Sequence, residues 1–214
     1  MKNIIISNRE KTISTVIEER IEEALLGVVN IAVAKTVPYS FKDEMGNELN
    51  SDIDYAIYDL THNKILIIEA KWIDKHYKDE IDKIYGKIFR TLNSIYTKQI
   101  DKHKKFLQKQ ENIDFLFGSN ENYIKGLAAP EIYYLAVDKR NQMHIGERHM
   151  ISEYMLIYFI HKYVSGNQID LEAMWKEIEG LQTKVEYITV SDNYYEINVG
   201  DEIVLVEHAD LYWK

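Results

Sequence analysis

The chain has 214 residues, 46% of them hydrophobic and 29% charged, which is enough apolar material for a sizeable core and too much for a disordered chain. Cysteine is absent, so disulfide staples, thiolate zinc sites and a cysteine nucleophile are excluded together. No apolar run approaches the ~20 residues that cross a bilayer, and Met1-Lys2-Asn3-Ile4-Ile5-Ile6 is too short an apolar stretch for a secretory signal. A soluble, cytoplasmic protein with no membrane partner is therefore expected.

The first predicted element is an amphipathic helix from Thr12 to about Leu26, with Ile13, Val16, Ile17, Ile21, Ala24 and Leu25 on one side and Gly27 as its stop. Asn30 to Phe41 is rich in Val, Ile, Thr and Tyr and reads as a strand ending near Pro38. The polar segment Lys42 to Ser51 reads as a loop. Asp52 to Leu60 alternates, Thr61 to Lys64 is a turn, and Ile65 to Trp72 is a second, nearly all-apolar strand, so the two form an antiparallel hairpin. From His76 to Lys109 the spacing is helical, with Gly86 or Asn93-Ser94 able to kink or split the helix. Glu131 to Val137 is a buried strand and Ile151 to Val164 a helix. Ser165-Gly166-Asn167 reads as a linker between a core at 1–164 and an extension at 165–214. The extension holds a helix near Leu171 to Leu181 and strands at Val185–Val190, Tyr194–Val199 and Ile203–Val206. The fold class is α/β.

Chemistry concentrates in the hairpin. Glu69 and Lys71, two apart on a strand, share a face. A turn centred on Thr61–Asn63 pairs residues whose numbers sum to about 123–125, and either odd sum sets Asp54 beside them on that face. Two acids and a lysine at the end of an apolar strand are costly unless they pair or hold a metal. Converging carboxylates suit Mg²⁺ or Mn²⁺, and a lysine there can orient or activate a water and offset developing negative charge. The competing reading is a buried Lys–Asp–Glu salt bridge. Glycine-rich phosphate loops, His-Glu-x-x-His and Gly-x-Ser-x-Gly are all absent. His144 and His149 show no convincing partner, so zinc is not expected.

Asp54 followed by Glu69-Ala70-Lys71 resembles the D…(D/E)-x-K motif of the PD-(D/E)XK nuclease superfamily, to which restriction endonucleases and Holliday-junction resolvases belong. The order helix, three-strand meander, long helix, strand over residues 12–137 is similar to that superfamily's restriction-endonuclease-like core. Ile53 stands where the name-giving proline would be, a departure many members share. The resemblance implies a Mg²⁺-dependent endonuclease or related hydrolase, with DNA as the expected substrate. Asp54, Glu69 and the backbone carbonyl of Ala70 would hold the metal, and Lys71 would orient or activate the water. Relatives often add an acid from the first helix; Glu18, bordering the apolar stripe, is the candidate and Glu22 the second choice. Some members carry Gln-x-x-x-Tyr on the helix after the motif. Here it is Gln99-x-x-x-His103, so Gln99 receives a supporting role and His103 none.

The net charge of −9 is uneven: residues 71–109 carry +6 between flanks of −5 and −10. Beside a phosphodiesterase site, Lys98, Lys102, Lys104, Lys105 and Lys109 could steer a nucleic-acid backbone. The alternative is a non-catalytic nucleic-acid or protein-binding module on the same fold, which the overall acidity favours and the intact acid–acid–lysine set disfavours. A segment of a larger protein is a third reading, and a homo-oligomer or a place in a defence or repair assembly is compatible with each.

Overall fold

A computed structural model describes residues 15–43, 45–71, 73, 81–126, 129–181, 186–191, 194–199 and 202–207. Thr12 to Ser14, Trp72, the expected helix start at 76–80 and Val185 lie outside the described residues. Helix α1, described over 15–24, buries Ile17, Ile21, Ala24 and Leu25, the stripe read from the sequence. Strands β1 (Ile31–Lys42), β2 (Glu48–Asp59) and β3 (Lys64–Lys71) form an antiparallel meander. Pro38 does not end β1, which is an edge strand of the sheet, where a missing N–H is tolerated. The expected loop contracts to a turn in which Asp43 accepts the N–H groups of Met45 and Asn47, and Glu48 to Ser51 join β2.

The expected long helix is broken. α2 (Ile81–Ile95) runs into a π-turn at Tyr96–Ile100 and then α3 (Asp101–Phe106), close to the predicted break at Asn93-Ser94. A further helix, α4 (Gln110–Phe117), was not anticipated. Strand β4 (Glu131–Asp138) then pairs parallel to β3. The unanticipated hairpin β5 (Met143–Ile145) and β6 (Arg148–Ser152) completes a six-stranded mixed sheet of order β1-β2-β3-β4-β6-β5. The predicted helix at Ile151 starts two residues late, as α5 (Glu153–Tyr163), because Ile151 finishes β6 and the Ser152 hydroxyl caps the helix by accepting the Met155 N–H.

Ser165-Gly166-Asn167 is not an open linker. It turns a small hairpin, β7 (Val164–Ser165) and β8 (Gln168–Ile169), with Gly166 and Asn167 in the left-handed region. Helix α6 (Leu171–Gly180) buries Leu171, Met174 and Ile178 in the same cluster as α1, α5 and one sheet face, so packing is continuous across residue 165. Strands β9 (Glu186–Ser191), β10 (Tyr194–Val199) and β11 (Glu202–Glu207) form their own antiparallel sheet. The remaining helices, α2 to α4, cover the other face of the main sheet. β3 is thus buried on both sides, with Leu66 and Ile68 facing one layer and Ile65 and Ile67 the other. Each such side chain contributes about 1.5–3 kcal/mol on burial, which makes β3 a firm base for the residues at its end.

One irregularity sets up that end. Thr36 has φ +47, a strained conformation for a β-branched residue, and the β1–β2 register skips the pair Thr36 and Asp54. Alternation changes face there. Ala32, Ala34, Ala56 and Tyr58 pack towards α4 before the kink, and Tyr39 and Ile53 join that same layer beyond it. Among the described residues no helix is long and apolar enough to cross a membrane.

Candidate active site

The β2–β3 hairpin pairs Tyr55 with Ile68 and Asp59 with Lys64, the lower odd sum expected from the turn, which brings Asp54 level with Glu69. The backbone ladder stops at Tyr55, and the Asp54 side chain takes over: the Ala70 N–H donates to Asp54 Oδ2 at 2.8 Å. With the Thr36 kink on its other side, Asp54 sits where the sheet loses regular pairing to both neighbours. Lys71 Nζ lies 2.7 Å from Glu69 Oε1, with the lysine side chain 33% exposed and Glu69 1%. The structure therefore brings Asp54, Glu69, Ala70 and Lys71 together. Ala70 meets Asp54 through its N–H; in a strand the C=O of a residue points to the same side as its N–H, so that carbonyl also faces β2.

The electrostatics are unbalanced. Burial, then the charge of Glu69, pushes the Asp54 carboxyl up from 3.8 to about 7. Burial also works against Glu69, but a hydrogen bond from His103 and the charge of Lys71 outweigh it and hold that carboxyl below its ordinary value. Burial disfavours the Lys71 ammonium, yet Glu69 and Asp54 overcome it and hold Lys71 above its ordinary value. Asp52, exposed two residues before Asp54, adds negative charge felt by both Asp54 and Lys71.

The other expected residues divide. Glu18 is buried, but its contacts are the Thr36 hydroxyl at 3.3 Å and Lys35 at 3.8 Å, while Glu22 pairs with Lys35 at 3.2 Å. Neither makes a described contact with Asp54 or Glu69. Gln99 is half-buried and contacts none of the cluster among the described residues. The π-turn moves the inward position on by one residue, so Ile100 is buried instead. His103, given no role from sequence, is fully buried, with Nε2 3.0 Å from Glu69 Oε2 and Nδ1 2.6 Å from Tyr39 Oη. Its signal was a polar residue on an apolar stripe. Tyr39 gave none, because it reaches this layer only through the face change at Thr36.

Lys98, Lys102, Lys104 and Lys105 line one open pocket of about 670 Å³ with Thr97 and Asp101. Lys102 donates to the Asn50 carbonyl at 3.0 Å, and Lys104 stands 5.5 Å from the centre of the Tyr134 ring. Tyr134 pairs with Ile67 and Ala136 with Glu69, so Lys104 reaches the sheet face that carries Glu69, while Asp54, Glu69 and Lys71 do not themselves line the pocket. Lys109 is exposed and pairs with Glu111. His144 and His149 do have a partner, namely each other: they pair across β5 and β6 with Nδ1 atoms 3.3 Å apart.

Among the described residues, Asp59, His62 and Asp170 form a trio whose ligand atoms lie within 4.8 Å of one another. Asp59 is already engaged there by Asn30, the N–H groups of Thr61, His62 and Leu171, and the His62 ring, and Asp170 caps α6 through the Ala173 N–H. Compared with family models, curated proteins and solved structures, the chain matches none.

Proposed function

We propose that the protein is a divalent-metal-dependent phosphodiesterase of the PD-(D/E)XK type, a nuclease acting on DNA. The carrying observation is the placement of Asp54, Glu69 and Lys71 side by side at the frayed end of a deeply buried strand. The sheet order supports the reading, since a helix, an antiparallel meander, helices and a strand parallel to the third agree with a restriction-endonuclease-like core.

The donor set fits Mg²⁺ or Mn²⁺. Desolvation, and then the charge of buried Glu69, raises the part-buried Asp54 carboxyl, only hard oxygen ligands are offered, and a cation would offset both. Asp54, Glu69 and the Ala70 carbonyl would hold the ion. When bound, it would polarise a phosphoryl oxygen and lower the pKa of a coordinated water. Glu69 keeps its negative charge through His103 and Lys71. Lys71, kept protonated, acts as a fixed positive charge that orients the attacking water and offsets charge building on the phosphoryl oxygens. The four pocket lysines supply the sequence-independent grip on a phosphate backbone.

The test is cleavage of linear, nicked and single-stranded DNA, with RNA alongside, in Mg²⁺ or Mn²⁺ and in a chelator. Metal-dependent cleavage that Asp54→Asn and Lys71→Met each abolish is expected. Metal-independent cleavage, or none on any substrate, refutes the reading and leaves the binding module.

A further inference from the structure

Glu69 is approached from two sides. Lys71 holds Oε1, and on the other side a chain of side chains runs from Oε2 to His103 and on to Tyr39, linking β3, α3 and β1. We infer that Tyr39 and His103 are positioning residues that lock the Glu69 carboxylate in one orientation for metal binding, an inference that rests on the reading proposed above.

Donor and acceptor capacity admits one fully satisfied arrangement with a neutral imidazole. A carboxylate only accepts, so Nε2 of His103 carries the hydrogen and donates to Glu69 Oε2. Nδ1 is then the acceptor, and the Tyr39 hydroxyl donates to it. The opposite tautomer would set the Nε2 lone pair 3.0 Å from a carboxylate oxygen. The carboxylate thus selects the imidazole tautomer, the phenol satisfies the Nδ1 that this leaves as an acceptor, and the imidazole fixes the carboxylate, as residues behind a metal ligand do.

Each link is immobilised. His103 is fully buried. Tyr39 is stacked on Phe106 at 4.0 Å between ring centres and meets His103 nearly edge-on. The Thr36 kink, which carries Tyr39 into this layer, is therefore part of how Glu69 is aimed. With Oε2 pinned, Oε1 is the oxygen left beside Lys71. Free rotation of Glu69 would instead let either oxygen meet Lys71 and would blur the ligand geometry.

The experiment compares wild type, Tyr39→Phe, His103→Phe and His103→Gln by Mn²⁺ calorimetry, by kcat and KM for DNA, and by nitrogen NMR of the His103 ring in metal-free protein. Gln can place an N–H where Nε2 stood; Phe cannot. Expected are an Nε2–H tautomer in the wild type, and about 10- to 100-fold weaker Mn²⁺ binding with lower kcat and unchanged KM in His103→Phe. Substantial recovery in His103→Gln and a smaller loss in Tyr39→Phe complete the pattern. An Nδ1–H tautomer in the wild type overturns the inference whatever the activity. So does a His103→Phe protein that binds Mn²⁺ and turns over like the wild type, or a His103→Gln protein no better than His103→Phe. A wild type that neither binds Mn²⁺ nor cleaves DNA overturns the nuclease reading itself, and the inference with it.

Discussion

Replacing Asp54 with asparagine separates a metal site from a structural ion pair. Burial and the neighbouring Glu69 raise the Asp54 carboxyl from 3.8 to about 7, so the native state favours the neutral acid. Between those two values the unfolded chain has released the proton that the native protein keeps. Stability from this group is therefore fully present below 3.8 and is lost as pH rises through about 7. At about 1.4 kcal/mol per pKa unit, the loss amounts to at most about 4.5 kcal/mol.

Asparagine has the shape of the neutral acid, can accept the Ala70 N–H through its Oδ1, and does not titrate. Between about pH 4.5 and about pH 8.5, Asp54→Asn should gain about 2–3 kcal/mol on the wild type, read by urea unfolding in chelator. Saturating Mn²⁺ should then stabilise the wild type at the higher pH, by about 2.7 kcal/mol at a hundredfold excess over Kd, and leave Asp54→Asn unmoved. If Asp54 serves instead as the stabilising partner of Lys71, the variant loses about 3 kcal/mol or more at high pH, as broken buried pairs do. An Asp54→Asn protein less stable than wild type at the higher pH would refute the reasoning.

Lys71→Met should keep Mn²⁺ binding by calorimetry while cleavage falls by about 100-fold or more; an active variant would remove Lys71 from the reaction. Changing Lys102, Lys104 and Lys105 together to Gln should weaken DNA binding and reduce the slope of log K against log salt by up to ~0.9 for each phosphate no longer neutralised by a lysine. The same variant's urea midpoint should shift little, because Lys104 and Lys105 are exposed and part-buried Lys102 gives up a single exposed hydrogen bond to Asn50. Thr36→Asn should raise stability by about 0.5–1 kcal/mol, since Asn tolerates the left-handed region that Thr occupies at φ +47; a loss above about 1 kcal/mol would mean the Thr36–Glu18 bond dominates. Asp59→Ala should cost about 3 kcal/mol or more in unfolding measurements without altering Mn²⁺ affinity, as the buried Leu171 N–H and Asn30 amide lose their acceptor along with the turn N–H groups of Thr61 and His62.

The hairpin that carries the cluster was readable because its register follows from a short turn and a two-residue period, and both depend on local chemistry. Asp54, Glu69 and Lys71 meet for that reason. The face change at Thr36 was not readable: a β-branched residue in a β-rich run signals regular strand, and nothing in its type favours the left-handed φ it adopts. Tyr39 depends on that change, so the link from Tyr39 to Glu69 was hidden as well. The π-turn has the same character, since a one-residue slip in a helix leaves composition untouched while exchanging Gln99 for Ile100 at the buried face. Helix α4 and the β5–β6 hairpin are short, and at eight, three and five residues they carry little periodicity. The turn at Ser165-Gly166-Asn167 resembles a linker in composition; only the burial of Ile169 and Leu171 beyond it shows that the chain stays with the core.

Two pairs of acids contrast in what neutralises them. Asp59 accepts the backbone N–H groups of Thr61, His62 and Leu171. Asp138, at the end of β4, accepts those of Ile73, Arg140 and Asn141 and the Asn141 side-chain amide. Backbone donors cannot leave without unfolding the turn they belong to, so these carboxylates are committed to structure. Among the described residues Asp54 has one backbone donor, the Ala70 N–H, and Glu69 is met by the side chains of Lys71 and His103. Lys71 is part-exposed and holds Glu69 through a side-chain ion pair, which a cation can share without breaking a backbone hydrogen bond. On the proposed reading, this acid pair, under-neutralised by the donors among the described residues and with one carboxyl pushed to about 7, is where a cation would gain most by binding. That difference, rather than the number of acids in each cluster, is why the proposal places the metal at Asp54 and Glu69 and not at Asp59, His62 and Asp170.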